Sequence, residues 1–204
     1  MLAMHERLVW WNGDDLSKAP PAWPSDDEVP EFVKEAILSV IDDGAMWDEF
    51  AGYSSQAAAA IHNSLEEKVT QPQGWSIGSI VDDLLELYSG LGKERALTIA
   101  RTEVGAIMNR ARQEAYEQRD DSDDYVYYWQ GPGDHRTTDV CKEIKEEVDA
   151  RGGHVPLEEL RSILRTKARK YENTAQGGTP ERVSEWVPHY QCRHTFIRDV
   201  RHIF

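Results

Sequence analysis

The chain has 204 residues, a hydrophobic fraction of 40% and a formal net charge of −14, with a mean hydropathy of −0.64. There is enough apolar material for one domain of ordinary size with a helical extension, and no run of roughly 18 apolar residues offers a membrane-spanning helix. So acidic a body also argues against wrapping nucleic acid over the whole surface, because phosphate binding is driven mainly by cations.

The charge is uneven. From Arg161 onward nine Lys/Arg face four Asp/Glu, so the acid is concentrated earlier. Paired aspartates (Asp14-Asp15, Asp26-Asp27, Asp42-Asp43, Asp82-Asp83, Asp120-Asp121, Asp123-Asp124) fit either simple solubility or, the reading favoured here, a carboxylate-rich surface suited to a halophilic host. Met1 to Trp11 lacks the basic start and small-residue cleavage pattern of a secretory signal, which leads us to expect a soluble product retained where it is made.

In chain order, residues 1–30 read as an arm. Pro20, Pro21, Pro24 and Pro30 forbid a continuous helix there, and Trp10, Trp11 and Trp23 must fold back on the body or dock on a partner. Residues 31–92 read as a helical region. Helices are expected at 31–42, at 45–69 with its Ala57–Ala60 run, and at 76–89. In the last, Ile77, Ile80, Val81, Leu84 and Leu85 recur at helical spacing before Gly90 and Gly92.

The longest helix is expected over 93–119, with Ala96, Ile99, Ala100, Val104 and Ile107 on one face. After an acidic loop at 120–124, Tyr125-Val126-Tyr127-Tyr128-Trp129 reads as a strand. Helices follow at 137–150 and from Pro156 to Tyr171. A Gly-rich loop leads to a final segment, 195–204, that can pair with the aromatic strand. The resulting fold class is α+β and mainly helical, with a helical N-terminal half and a C-terminal unit of helices on a small antiparallel sheet.

Three constellations carry chemistry. The first is Arg101-Thr102-Glu103, with Asn109 further along the same helix. The second is Trp129-x4-Asp134-x-Arg136-Thr137 with Cys141 nearby; Asp134 is placed to accept amides at a helix start. The third is His189-x-x-Cys192-Arg193-His194, where an imidazole and a thiol can share a metal.

Taken in this order the three motifs resemble the Mu F-like head-morphogenesis (minor capsid) family of tailed phages, over about 76–198. The resemblance implies that residues 93–204 form the family's core domain. It also implies a virion protein acting with the portal during head assembly and DNA packaging, held inside the head or at the portal vertex after assembly in host cytoplasm. Its partners would be the portal protein, the major capsid protein and packaged viral DNA. Many relatives read Arg-Thr-Cys-x-x-Cys, whereas here Thr138 takes the first cysteine position. A four-ligand zinc site would therefore draw on Cys141, His189 and Cys192, with His194, His135 or Asp139 as the fourth. The two cysteines equally allow a disulfide or two reduced core thiols.

Arg101, Glu103, Asp134, Arg136 and Arg193 are expected to form an ion-pair network rather than a catalytic set. The basic residues Arg161, Arg165, Lys167, Arg169 and Lys170 either face packaged DNA or form the solvated side of an amphipathic helix. The rival reading is a metal-dependent hydrolase or toxin-like enzyme built on the Cys/His cluster. Against it, the sequence holds no phosphate-binding Gly loop, no His-Glu-x-x-His helix and no nucleophile elbow.

Overall fold

The computed structural model describes residues 76–87, 90–117 and 125–200, together with the isolated helical positions Asn63, Ser64 and Glu67. The expected arm, the helix at 31–42, most of the helix at 45–69 and the acidic loop lie outside the described residues.

Helix α1 (Ile77–Leu87) buries Ile77, Ile80, Val81 and Leu84, the i, i+3, i+4, i+7 stripe that a 3.6-residue turn brings to one side. Its start is fixed by two serines that exchange hydrogen bonds: Ser79 N donates to Ser76 Oγ (3.0 Å) and Ser76 N to Ser79 Oγ (2.8 Å). Helix α2 (Lys93–Glu117) packs against α1. It is buried on two sides. Ala96, Ala100, Val104 and Ile107 form the apolar stripe read from the sequence, and a second stripe holds Thr102, Ala106, Asn109 and Gln113. A helix with a polar buried stripe must be facing backbone or side chains that satisfy it.

Strand β1 (Tyr125–Gln130) pairs antiparallel with β2 (Thr195–Val200), in a register that sets Tyr127 opposite Arg198 and Trp129 opposite Phe196. On its other edge Tyr127 exchanges backbone hydrogen bonds with Val155 (2.8 and 3.1 Å). Between these elements lie α3 (Asp139–Ala150) and α4 (Leu157–Lys170), followed by the short α5 (Glu181–Ser184).

The core forms where these elements meet: Val140, Ile144 and Val148 of α3, Leu160, Ile163 and Leu164 of α4, Tyr127 and Trp129 of β1, and Phe196 of β2, with Trp186, Val187 and Ala106 closing it. The α+β, mainly helical class is as expected, and so is the pairing of the aromatic strand with the final segment.

Helix α3 begins two residues later than expected. Its N-cap is Thr138, whose Oγ1 accepts from Cys141 N. Asp134 does not cap it but turns the chain just before, accepting from Arg136 N at 2.9 Å. The physical reason is reach, since a capping oxygen serves the second or third amide after it, and Asp134 is too far upstream. Gly178 is required by contact. A Cβ there would lie 2.0 Å from the Ala168 carbonyl oxygen at the end of α4.

Candidate functional site: a thiol-imidazole cluster beside an arginine-lined pocket

The polar stripe of α2 is satisfied by the segment leading into β2. Gln191 N donates to Thr102 Oγ1 (3.0 Å), Gln191 Nε2 donates to Thr98 Oγ1 (2.9 Å), and Arg101 Nη1 donates to Gln191 Oε1 (3.1 Å). Gln191 holds a left-handed backbone, φ 57°, a conformation uncommon for a residue with a side chain and kept here by these three bonds. Two turns on, Asn109 Nδ2 donates to the Trp186 carbonyl (2.8 Å), while its Oδ1 accepts from Thr195 Oγ1 (2.6 Å) and Arg112 Nη1 (2.7 Å). Arg112 also donates to Thr195 Oγ1. Gly105 lets Val187 approach the helix.

The turn before α3 joins the same region. Arg193 grips Asp134 with both guanidinium nitrogens (2.6 and 2.8 Å), the forked geometry that suits a carboxylate. The Arg193 hydrogen bonds, supported by Arg136, hold the Asp134 carboxyl well below the usual carboxylate range. Arg136 itself is looser, its Nε 3.9 Å from Asp134. The expected network is therefore partly assembled. Asp134, Arg136 and Arg193 form ion pairs, and Arg101 joins through Gln191. Glu103 is buried on α2 and is not among the residues that line the pocket.

Behind this layer sit the thiols and imidazoles. Cys141 Sγ is 3.1 Å from His189 Nε2 and 3.7 Å from Cys192 Sγ, and the ligand atoms of Cys141, Cys192 and His194 all fall within 4.8 Å of one another. His189 Nδ1 is 2.8 Å from the Tyr190 carbonyl. A carbonyl can only accept, so Nδ1 carries a proton, and Nε2 is the ring nitrogen that faces Cys141. The His194 ring is stacked on Trp129, centroids 5.6 Å apart and 15° from parallel. Gly131 makes room for it, since a Cβ there would lie 2.3 Å from the ring.

All four groups are buried: Cys141 is 1% exposed, His189 5%, and Cys192 and His194 9% each. Burial alone would raise the Cys141 thiol. Hydrogen bonds from Cys192, His189 and His194 outweigh it and carry Cys141 well below the ordinary thiol value. Burial and the neighbouring Cys141 push Cys192 well above it.

The donor set fits a zinc ion. Tetrahedral coordination with Zn–S near 2.3 Å sets two thiolates about 3.8 Å apart, close to the spacing found. The His189 N–H held by a carbonyl is the usual support for a ligating imidazole. His194 lies with the thiols, whereas His135 and Asp139 are exposed, and Asp139 pairs with Lys142 at 2.9 Å. The two sulfurs are unbonded thiols here.

On the solvent side the cluster adjoins a pocket of about 180 Å³, lined among others by Arg101, Arg136, Thr137, His189, Arg193 and His194. The three segments expected to converge, near positions 101, 136 and 193, line a single cavity.

The basic residues after position 160 are engaged elsewhere. Arg161 and Arg165 bind Glu158 and Glu185, Lys167 binds Glu143 and Glu147, Arg169 binds Glu181, and Lys170 binds Glu143. Arg161 also lies over the Trp186 ring. The cations of α4 are thus matched by glutamates, mostly from neighbouring elements. Gln191, Asn109 and Trp186 were not anticipated as the seam joining α2 to the cluster. Asn109 had the signal of a polar residue on a helix otherwise apolar on that side, whereas Gln191 had none.

Residues 55–148 match the family model described as Phage Mu protein F like protein. No curated protein and no solved structure matches the chain. The matched segment carries the first two motifs and ends within α3, so the third motif, from His189 to His194, lies beyond it and is joined to it by the contacts above. Over that segment, a little under half of its length, the chain is similar to the Phage Mu protein F like family.

Proposed function

We propose that the chain is a minor head protein of a tailed virus that works beside the portal, at the head interior, during assembly and DNA packaging, and whose C-terminal unit is stapled by zinc at Cys141, His189, Cys192 and His194. The observation that carries the reading is that the three sequence-distant motifs meet at one pocket and the thiol-imidazole cluster behind it, in a chain whose residues 55–148 match the Mu F-like model. Partners would be the portal protein and the major capsid protein. Among the described residues no helix is long and apolar enough to cross a membrane.

In this reading the metal would supply folding energy and no reaction step, since four protein donors leave no open coordination position. The hydrolase or toxin-like alternative needs such an open position, with one histidine released from the metal. A DNA-facing role for α4 would require the lysines and arginines of that helix to exchange glutamates for phosphates. We give it second place to a portal contact.

Two measurements test the proposal. Labelled protein located in intact particles is expected at the portal vertex; a uniform distribution over the shell would refute the portal assignment. Elemental analysis of the purified full chain is expected to give one zinc per chain, lost in Cys141→Ser and Cys192→Ser. Wild-type protein without metal after purification in zinc-supplemented, chelator-free buffer would end the stapling idea and leave the resemblance to the Mu F-like family standing.

A further inference from the structure

We infer that Cys141 and Cys192 form a redox pair, two thiols that a peroxide closes into a disulfide between the first turn of α3 and the segment before β2. The sulfurs lie 3.7 Å apart and are unbonded thiols. A disulfide needs about 2.05 Å, so each sulfur has to move by roughly 0.8 Å. The chain has two cysteines, so neither has another thiol of its own chain to choose.

The backbone on both sides is already held for that closure. Cys141 N donates to Thr138 Oγ1 at the start of α3, and Gln191, the residue before Cys192, is tied to α2 by three hydrogen bonds. On the other side of Cys192, Arg193 grips Asp134 in the turn that leads into α3. The Arg193–Asp134 pair and the two sulfurs therefore bridge the same two segments, and the ion pair holds those segments in register. Access then selects the oxidant. Both sulfurs are buried, and the pocket of about 180 Å³ on the solvent side is lined by His189 and His194, which also reach the sulfurs. A peroxide is hardly larger than water and fits such a route, whereas a peptide disulfide such as oxidised glutathione does not.

The chemistry balances within the pair and the oxidant. One sulfur attacks a peroxide oxygen and the O–O bond breaks, giving a sulfenic acid while the thiol proton leaves in a molecule of water. The second sulfur displaces the new hydroxyl, the S–S bond forms, and a second water departs with the second proton. The thiols lose two electrons and the peroxide gains them. Thiolates released from a metal draw those two protons from solvent instead. A disulfide offers no thiolate donor, so closure leaves only imidazoles for zinc and expels it. That consequence rests on the zinc site proposed above; closure itself does not.

The test doses the folded full chain, purified under reducing conditions and then freed of reductant, with hydrogen peroxide. Intact mass, alkylatable thiols and zinc in solution are followed together. The expected product is a monomer lighter by two hydrogen atoms, in which neither cysteine is alkylated after denaturation and both are recovered with dithiothreitol. A zinc-loaded chain should release one zinc for each disulfide formed, and oxidised glutathione should leave both thiols alkylatable over the same period. Sulfinic acid at either sulfur, cross-linked dimers, or thiols that survive peroxide would overturn the inference, and equal closure by oxidised glutathione would overturn the pocket as the route. Zinc absent from the untreated chain defeats the zinc site alone, because the mass reads closure without it.

Discussion

Asp134 is held through both carboxylate oxygens by Arg193 and through one of them by the Arg136 amide. Its folded-state pKa is depressed, so its contribution to stability is present above the ordinary carboxylate value of about 4 and is lost only as pH falls through the lower folded value. The difference in melting temperature between wild type and Asp134→Asn should therefore be constant from neutral pH down to about 5 and should shrink only in stronger acid. A gap that already closes near pH 6 would mean that another group controls it.

Gly131 makes a separate demand. Because a Cβ would overlap the His194 ring, Gly131→Ala should unstack that ring from Trp129. The expected readout is altered tryptophan fluorescence. Unchanged fluorescence in the variant would show that the ring has other room.

Helix α2 has two jobs, and its sequence announces only one. The apolar stripe of Ala96, Ala100, Val104 and Ile107 is visible as periodicity. In the second stripe Thr102 and Asn109 stand out as polar residues, but their partners, 77 to 89 residues downstream, cannot be read from the helix itself. Asn109 is the clearest case, since its amide serves a carbonyl, a hydroxyl and a guanidinium at once. Asn109→Ala leaves these groups without that partner, and each buried polar group so stranded costs ~1–3 kcal/mol. Urea unfolding of Asn109→Ala should show a loss on the order of 2–3 kcal/mol; a change within experimental error would place the seam outside the folding unit.

The strands and the helices after position 92 were legible because aromatic and β-branched runs, prolines and glycines mark them locally. The start of α3 was misplaced because Asp134, the stronger-looking cap, lies too far upstream and turns the chain before the helix, leaving Thr138 to cap it. The cluster could be read as a set of donor types, but the sequence offered no means of ranking His135, Asp139 and His194 as the fourth donor. That ranking depends on which of them is buried, and burial is a tertiary property. Gln191 was illegible for a related reason, since its role arises from a left-handed backbone in a loop with no local signature.

For the molecule as a whole the governing quantity is charge. With 37 Asp/Glu against 23 Lys/Arg, like-charge repulsion should outweigh the surface ion pairs of α4, each of which contributes little by itself. Added salt screens both, with a Debye length of about 10 Å at 0.1 M and about 3 Å at 1 M. The melting temperature should accordingly rise between 0.1 and 1 M sodium chloride, as a carboxylate-rich surface requires. A fall over that range would show that the ion pairs around Glu143, Glu158 and Glu185 matter more than the net charge.

The doubly buried α2 has a mechanical consequence. One side of this rod is packed against α1 and the other is bolted by hydrogen bonds to the loop that carries Gln191 and the cluster. Leverage applied to α1, for instance by a neighbouring subunit, would slide or roll α2 as a rigid body. Thr98, Arg101 and Thr102 would move with it. The recess lined by Arg101 and the imidazoles would widen or narrow in step, so that a displacement of α1 is transmitted to it through α2.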